Sequence, residues 1–477
     1  MRGPNGCWSV IVSREIASER GKAERSLRDF LLTLFRLLDE CNVRYCVLHS
    51  WDNLPDKLPN DLDLAVPDRD KSRLLPVFEG LRAKGYVPIQ AVSHSVNGTF
   101  YTFCWVEGSA LKLAAVDIVS EHRRGGLTLA GAEEMVANRQ RHGAFWIASP
   151  QIEFPYLLAK KFFKQRISED QARRLKFLAE QLGSPEVEEL ASAFLQGGSS
   201  RQVVDSCRAG SVTGLLENGR AKLWRVSLTR QPWRLVPYLT GEAWRLVGRW
   251  LRPTGVTVAI IGPDGAGKST VAAGLTESLA MAFWRRQRRF HWRPNVIAPR
   301  PDRGPVPDPH GQPVRGSVAS MLCLSGFFLD YWAGYLLLVR HLAAKSNLIV
   351  FDRYFQDVLV DPRRYRYGGP RRFAEMLSRI VPQPDLVILV DADAESILRR
   401  KPELPYKEIE RQRKAYRKLR FEGAGIVPVM TSTGPDKSIC EAAVAVAEFM
   451  KTRFDDRFRG QLSSAPRGLK ESEVLGD

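Results

Sequence analysis

The stretch that decides the fold is Gly262-Pro263-Asp264-Gly265-Ala266-Gly267-Lys268-Ser269-Thr270. It has two glycines five residues apart followed by lysine and serine, which is the pattern of a phosphate-binding loop. The apolar run 256–261 before it suits a buried parallel strand, and the residues after it have helical spacing. A strand, a glycine-rich turn and a helix N-terminus together present backbone N–H groups to an anion.

The loop therefore predicts a nucleotide site that uses ATP and Mg²⁺. Lys268 is expected to reach the outer phosphates, and the Ser269 hydroxyl is expected to be a ligand of Mg²⁺. The alternative, a chance glycine turn, is disfavoured by the flanking pattern and by motifs further along the chain. The predicted ATP-binding residues are Gly262, Gly265, Ala266, Gly267, Lys268, Ser269 and Thr270.

Three later stretches complete the predicted sheet. Residues 348–354 form an apolar run that ends in Asp352-Arg353-Tyr354, residues 385–391 form another that ends in Asp391, and residues 426–430 are the last strand. Strands that alternate with helices predict a parallel sheet with helices on both faces. Ligands of such sheets bind at the carboxyl ends of the strands, where both aspartates lie.

About residues 254–452 resemble thymidylate kinase and its relatives among the nucleoside monophosphate kinases. The resemblance rests on the loop, on Asp-Arg-Tyr and on the strand that ends in Asp391. It implies that Asp264 contacts the sugar hydroxyl of the acceptor, that Asp352 positions Mg²⁺ through water and that Arg353 binds the acceptor phosphate.

The resemblance also implies roles for three further arginines. Arg293 falls in the acceptor segment of the family, although the usual glutamate is missing there. Gly265 stands where some relatives place a catalytic arginine, so Arg399 and Arg400 of the lid become the candidates. Further cations follow Arg400 in the lid segment. The alternative interpretation of these cations is a solvated basic helix over 408–420. The predicted catalytic residues are Lys268, Asp352, Arg399 and Arg400, and the predicted acceptor-binding residues are Asp264, Arg293 and Arg353.

Two basic and aromatic runs, 285–293 and 361–367, depart from a housekeeping thymidylate kinase. They indicate a bulkier or more anionic acceptor. Such runs also occur in nucleic-acid binders, but here they lie inside an enzyme fold, so nucleic acid is an unlikely partner.

The N-terminal part carries a second set of acids. Asp61 and Asp63 share one face of a predicted strand because strand side chains repeat every two residues, and Asp117 lies on a later strand. About residues 25–150 resemble the nucleotidyltransferase superfamily on these acids and on Ser50, whereas His49 stands where that family usually has glycine. The resemblance implies that the three acids hold Mg²⁺ for a nucleoside triphosphate; an inactive transferase-like site and an exposed acidic strand face are the alternatives.

The chain thus divides into five predicted segments. They are a tail over 1–22, an α+β nucleotidyltransferase-like domain over 23–150, a helical connector over 151–250, an α/β P-loop domain over 251–455 and a tail over 456–477. In the connector, Lys160, Lys161 and Lys164 are expected on a solvated face, or else facing a triphosphate. Residues 253–255 are expected to be a hinge, and 299–313 a Pro-rich loop.

One apolar segment, 318–344, is expected to be a buried helix of the P-loop domain, because Asp330 and Arg340 interrupt it. A membrane-associated helix is the alternative, and no transmembrane span is expected. The N-terminal residues lack the apolar core of a signal peptide, and the seven cysteines are scattered without a C-x-x-C pair, so a reducing, cytoplasmic location is expected.

The formal net charge of +18 favours phosphorylated substrates. The predicted function is ATP-dependent phosphoryl transfer to a small phosphorylated acceptor, a nucleoside monophosphate or a sugar phosphate, coupled or not to nucleotidyl transfer. The alternatives are a nucleotide-binding regulator with an inactive transferase-like half, and thymidylate kinase activity itself. A homodimer is left open.

Overall fold

The computed structural model describes residue 16 and residues 26–58, 60–124, 126–193, 195, 199–209, 216–297 and 310–462. The predicted N-terminal tail, apart from Ile16, lies outside the described residues. So do most of the Pro-rich segment and residues 463–477 of the predicted C-terminal tail.

The N-terminal part is built on a mixed sheet of seven strands. In chain order the strands of this part are β1 Cys46–Val47, β2 Leu62–Ala65, β3 Val87–Ser95, β4 Gly98–Glu107, β5 Ala110–Val119, β6 Glu121–Arg124, β7 Leu127–Gly131, β8 Gln140–His142 and β9 Phe145–Ile147. The sheet order is β3-β4-β5-β2-β1-β9-β8, and β6 pairs with β7 separately. The parallel pairing of β2 with β5 places Asp63 directly opposite Asp117.

Three helices belong to this sheet: α1 Leu27–Glu40, α2 Leu74–Ala83 and α3 Ala132–Ala137. Helix α1 begins at Leu27 because Ser26 caps it: the Ser26 hydroxyl accepts a hydrogen bond from the Asp29 N–H at 3.1 Å, and the Asp29 carboxylate accepts one from the Ser26 N–H at 3.3 Å. Five of its apolar side chains are buried in the N-terminal core, among them Phe30 and Phe35, which are fully buried.

Six helices follow among the described residues of 150–251, and the first five share a buried cluster with Leu127 of β7. The six are α4 Pro150–Lys164, α5 Glu169–Leu182, α6 Ser184–Ser192, α7 Ser199–Ala209, α8 Gly219–Arg230 and α9 Pro232–Leu251.

The C-terminal part contains the predicted parallel sheet, which has five strands; the strand over Gln287–His291 was not predicted. The strands are β10 Val256–Ile261, β11 Gln287–His291, β12 Leu348–Asp352, β13 Leu386–Asp391 and β14 Gly425–Met430, in the order β11-β12-β10-β13-β14. Its helices are α10 Lys268–Ser278, α11 Ser317–Gly334, α12 Arg340–Ala344, α13 Asp357–Val360, α14 Arg371–Ile380, α15 Ala394–Arg400, α16 Tyr406–Lys418 and α17 Pro435–Leu462, and a π-helical turn joins α11 to α12.

Both faces of this sheet are covered, as the apolar runs predict. On the central strand β10, Val258 and Ile260 belong to one hydrophobic cluster, and Ala259 and Ile261 belong to another. The first cluster includes residues of α10 and α17, and the second includes residues of α11 and α14. Side chains on a strand alternate between faces, so a run that is apolar at every position needs two covered faces.

The two parts share one of these clusters. Ile89 of β3, Cys104 of β4 and Leu111 of β5 belong to the same buried cluster as Val258 of β10. Helix α17 lies against both sheets. Arg453 of α17 donates to the carbonyls of Thr254 and Gly255 at 2.7 and 2.9 Å, so the expected hinge at 253–255 is held by the last helix instead.

The apolar segment 317–344 is helical, but the expectation that it is buried is wrong for its outer side. By length and composition this helix could cross a membrane, and 28% of its apolar window is buried. The inner side of this helix contacts the segment that follows β11. The buried Asp330 accepts hydrogen bonds from Arg293 at 2.8 Å and from the backbone N–H of Val296 at 2.6 Å. On the outer side Leu322 and Leu337 are exposed.

The packing of α1 yields a stability prediction. Phe30→Ala removes a ring that is fully buried against Tyr86, Phe103 and Trp105, so it should lower the free energy of unfolding by about 3–5 kcal/mol. Urea unfolding followed by fluorescence measures this change. Phe177→Ala, at an exposed ring on α5, is the matched control and should change it by less than about 1 kcal/mol. Equal effects of the two substitutions would contradict the predicted core.

Candidate functional site

The loop 262–270 has the geometry of an anion cradle. Strand β10 ends at Ile261 and α10 begins at Lys268, with Gly267 before it at φ +94°. Gly262 has φ +145°, and a Cβ there would lie 2.1 Å from the carbonyl oxygen of Val390. Only glycine tolerates this approach, so the first glycine of the motif is required by the neighbouring strand β13. The turn leaves the N-terminus of α10 free to face an anion.

Lys268 lies over the loop that precedes it. Its ammonium donates to the carbonyls of Gly262 and Pro263 at 3.0 and 2.8 Å, and it lies 3.2 Å from Asp264 Oδ1. Burial and then the nearby Arg353 guanidinium lower the pKa of Lys268 to about 8. The surroundings therefore disfavour the charged form, and an added anion would stabilise it.

Four cations converge on the loop acid Asp264. Its carboxylate contacts the guanidinium groups of Arg353 and Arg364, lies 3.2 Å from Lys268 and lies 3.8 Å from Lys401. Burial acts to raise the pKa of Asp264, but these four cations hold that pKa well below its usual range. Asp264 thus binds together positive groups that come from four separate segments of the chain.

Arg353 is fixed in an unusual backbone conformation. Its φ is +75°, which side-chain-bearing residues seldom adopt, and its N–H donates to the Ile260 carbonyl at 2.9 Å. Besides Asp264, its guanidinium contacts the buried Asp357 at 3.3 Å. Asp357 is held in turn by the Tyr416 hydroxyl at 2.6 Å. Such strain persists where neighbours determine the conformation, and it is common at functional sites.

Asp352 and Ser269 are the candidates for holding Mg²⁺. Within the part of the chain that the structure describes, Asp352 Oδ1 is buried without a hydrogen-bond partner, and Oδ2 lies 3.9 Å from His291 Nδ1. The Ser269 side chain is exposed at the first turn of α10. A carboxylate oxygen with an unmet partner and a hydroxyl oxygen are hard ligands, so these residues fit Mg²⁺ or water bound to it.

Three arginines that the sequence predicts as site residues contact groups other than Asp264. Arg293 is buried against Asp330 of α11 at 2.8 Å. Arg399 is exposed and contacts Ser396 at 3.5 Å. Arg400 donates to the Thr431 hydroxyl at 3.3 Å, and that hydroxyl donates to the carbonyl of the loop residue Ala266 at 2.7 Å. In this conformation Arg400 therefore approaches the loop through Thr431.

The site also contains cations that were not predicted as site residues. Arg364 belongs to the basic and aromatic run 361–367, and Lys401 directly follows Arg400. Both runs were recognised as basic, but a run of cations does not show which member turns toward a carboxylate. The same holds for the basic helix α16 of the lid, whose pattern does not show which acid its cations contact. Arg413 and Arg417 contact Asp391 at 2.8 and 2.5 Å, so this carboxylate is paired with two guanidinium groups.

The N-terminal part brings its three predicted acids together. Carboxylate oxygens of Asp61, Asp63 and Asp117 all lie within 4.8 Å of one another. Burial and then the neighbouring Asp63 raise the pKa of Asp61 to about 6. Like charges this close favour a bound cation, and carboxylate oxygens are ligands that Mg²⁺ prefers.

A lysine already contacts this cluster. Lys160 of α4 is buried, and its ammonium donates to Asp63 Oδ1 at 2.8 Å. His49 Nε2 lies 3.0 Å from Asp63 Oδ2, and His94 Nε2 lies 2.7 Å from Asp117 Oδ1. The expectation of a solvated face is therefore wrong for Lys160 and also for Lys161, which is buried next to it. The donor set fits Mg²⁺, but the Lys160 ammonium competes for the same oxygen.

Comparison with known proteins gives matches at low identity. No family model matches the chain. Over 152 residues the chain is 29% identical to thymidylate kinase of Xanthomonas oryzae pv. oryzae strain PXO99A. The aligned region covers 30% of this chain and 58% of that protein. The same values hold for thymidylate kinase of strain MAFF 311018. The chain is similar to thymidylate kinases at low identity. It spans 58% of the length of these curated relatives.

Solved structures give weak overlaps. Thymidylate kinase from Candida albicans is 17% identical and covers 42% of this chain and 93% of its own, with a TM-score of 0.30. Thymidylate kinase from Ehrlichia chaffeensis is 14% identical, and the overlap covers 41% of this chain and 97% of that chain, with a TM-score of 0.28. A provisionally assigned nucleotidyltransferase from H. pylori is 11% identical, and the overlap covers 41% of this chain and 94% of that chain, with a TM-score of 0.22. At these scores the overlaps carry no functional argument.

The contact between Lys160 and Asp63 yields a metal-binding prediction. Lys160→Met removes a buried cation from the acid cluster, so the affinity of the full chain for Mn²⁺ should rise by about tenfold. Asp61→Ala should abolish that binding. Calorimetry with Mn²⁺ measures both changes, and Lys222→Met, at an exposed lysine of α8, is the control. A weaker or unchanged affinity of Lys160→Met would contradict the competition.

Proposed function

We propose that the C-terminal part transfers the γ-phosphoryl group of ATP to a small phosphorylated acceptor. The observation that carries the proposal is the set of four cations around Asp264 beside the phosphate-binding loop. The sequence similarity to thymidylate kinases supports the same class of reaction. In the transfer, an oxygen of the acceptor bonds to the γ-phosphorus, the bond from that phosphorus to the bridging oxygen breaks, and ADP leaves.

The named residues divide the work by position. Phosphoryl transfer depends mostly on alignment and on neutralising charge that spreads over the phosphate oxygens. Lys268 is proposed to bind the donor phosphates, which its position over the loop at the N-terminus of α10 supports. Arg353, which contacts the same Asp264 oxygen as Lys268, and Arg364, which contacts the other oxygen, are proposed to bind the acceptor phosphate. Mg²⁺ held by Ser269 and Asp352 would supply further neutralisation of the donor phosphates.

The acceptor is proposed to be a nucleoside monophosphate or a sugar phosphate. Next to Arg364, the ring of Tyr365 packs against Trp292 with a centroid distance of 4.5 Å. Within the described residues the buried Tyr365 hydroxyl has no hydrogen-bond partner. An aromatic pair beside two arginines supports an acceptor that joins a planar or apolar group to a phosphate.

A second candidate function concerns the N-terminal part. Lys160 and His49 contact Asp63, the acid that a transferase would use for its metal. This observation favours a nucleotide-binding regulator whose transferase-like half does not catalyse, over sequential phosphoryl and nucleotidyl transfer. Six described cysteines are free thiols, which supports proposing a reducing, cytoplasmic location for either candidate.

The donor site yields the first activity prediction. Lys268→Ala removes the cation nearest the loop, so kcat for ATP turnover should fall by about 100-fold or more. Steady-state assays with Mg²⁺ and the best acceptor measure it, and Lys437→Ala, at an exposed lysine of α17, is the control. Full activity of Lys268→Ala would overturn the assignment of the loop.

The acceptor site yields a matched pair of variants. Arg364→Ala removes a guanidinium that contacts Asp264, so KM for the acceptor should rise by about tenfold or more while the Kd for ATP changes little. Arg363→Ala, at the exposed neighbouring position, should leave both constants unchanged. A change confined to the Kd for ATP would show that Arg364 serves the donor instead.

The experiment that tests the proposed function is an acceptor screen with the full chain. Purified protein, ATP and Mg²⁺ are incubated with each nucleoside monophosphate and with a panel of sugar phosphates, and the phosphorylated product is identified by mass spectrometry. Product with one class of acceptor supports kinase activity and names the class. ATP binding without product for any acceptor would favour the regulator.

A further inference from the structure

Helix α9 packs its polar side against the protein. On that side the Glu242 carboxylate accepts a hydrogen bond from the Val96 N–H at 2.8 Å and one from Arg245 at 3.0 Å. Arg249 donates to the Ser346 hydroxyl at 2.9 Å. These contacts involve the turn between β3 and β4 on one side and the turn after α12 on the other. They set the rotation of α9 about its own axis, so the side that faces outward is a fixed feature of the fold.

The outward side of α9 is apolar. Leu235 is the buried apolar residue of this helix, and Trp244 is 79% exposed. A surface helix ordinarily turns its apolar stripe to the core, which is the opposite arrangement. The outward apolar face, as we name it, consists of Trp233, Val236, Trp244, Val247, Trp250 and Leu251, all of which are exposed.

The same surface continues onto the neighbouring helix. Arg340 of α12 donates to the Leu251 carbonyl at 2.9 Å, and its guanidinium lies 5.4 Å from the centre of the Trp250 ring. Leu336 and Leu337 lie one helical turn before Arg340 and are also exposed. Exposed apolar residues that adjoin across two helices form a patch, and patches of this kind mark interaction sites.

The charges that the ends of α9 and Arg340 bring to this patch are positive. Residues 232–251 contain one acid, Glu242, and it lies on the inward side. Arg234 and Arg252 are exposed near the two ends of α9, and Arg340 lies beside Trp250. Tryptophan is enriched at the interface of membrane and water, and arginine can bury its stem there while its charged head stays among the headgroups.

We propose that the outward apolar face of α9, together with Leu336 and Leu337, binds the surface of an anionic lipid bilayer. The helix lies in the interface plane, because its inward polar contacts keep it on the protein. Apolar area and basic residues on one helix are the features that give such binding. A second copy of the chain would bring the same arginines to the same edge, where like charges repel, whereas anionic headgroups bring the opposite charge.

The test uses the full chain and vesicles. Co-sedimentation should show binding to vesicles that contain phosphatidylglycerol and at least about tenfold weaker binding to vesicles of phosphatidylcholine alone. Trp244→Ser with Trp250→Ser should weaken binding to the anionic vesicles by about tenfold or more. Met376→Ser, at an exposed apolar residue of α14, is the control and should bind as the parent chain does. Arg252→Glu should weaken binding to anionic vesicles only.

Folding and self-association are checked in the same variants. The two tryptophans are exposed, so the double variant should keep the unfolding temperature and the soluble ATPase or kinase activity of the parent chain. Binding that is equal for both kinds of vesicle, or that survives the double substitution, would overturn the proposal. The proposal would also be overturned if the parent chain bound neither kind of vesicle. This includes the case in which sedimentation velocity shows that the parent chain is a dimer and that the double substitution dissociates it.

Discussion

The cluster of four cations on Asp264 is the interaction on which the C-terminal site depends. Its members come from the loop, from the end of β12, from the run that includes Arg364 and from the end of α15. Parallel strands end at one edge of a sheet, so segments far apart in the chain meet there. A carboxylate in the centre keeps the cations together, and their mutual repulsion makes the same place favourable for phosphate.

A second constraint is the core that the two parts share. Ile89 and Leu111 of the N-terminal sheet pack in the same cluster as the strand that leads into the phosphate-binding loop. Helix α17 closes that cluster and also contacts the N-terminal part through Asp455, which pairs with Arg82 at 2.5 Å. Cutting the chain between the two parts would expose apolar surface on both, so the acid cluster and the loop are best studied in the intact chain.

The amino-acid sequence was enough to indicate the phosphate-binding loop, most strands of the parallel sheet and the acids of both sites. The loop, the strands ending in Asp352 and Asp391, and the strand pattern of Asp61 and Asp63 all depend on neighbours within a few residues. Local periodicity and turn residues act over that distance, because they reflect how consecutive side chains meet water or the core. The parallel sheet followed from the same patterns, whereas the meeting of Asp61 and Asp63 with Asp117 was implied by the resemblance to nucleotidyltransferases.

Only the tertiary structure decided which charged groups meet. Lys160 is 97 residues from Asp63 and Arg364 is 100 residues from Asp264, and no periodicity relates such positions. Composition likewise showed that the segment 318–344 is apolar, but it did not show which side of that helix, or of α9, is covered. That choice rests on a few polar contacts, such as Glu242 with Val96 and Asp330 with Arg293, which orient each helix against its neighbours. Pairing of distant charges and rotation of a helix are properties of the packed chain, so they appear only when the elements are assembled.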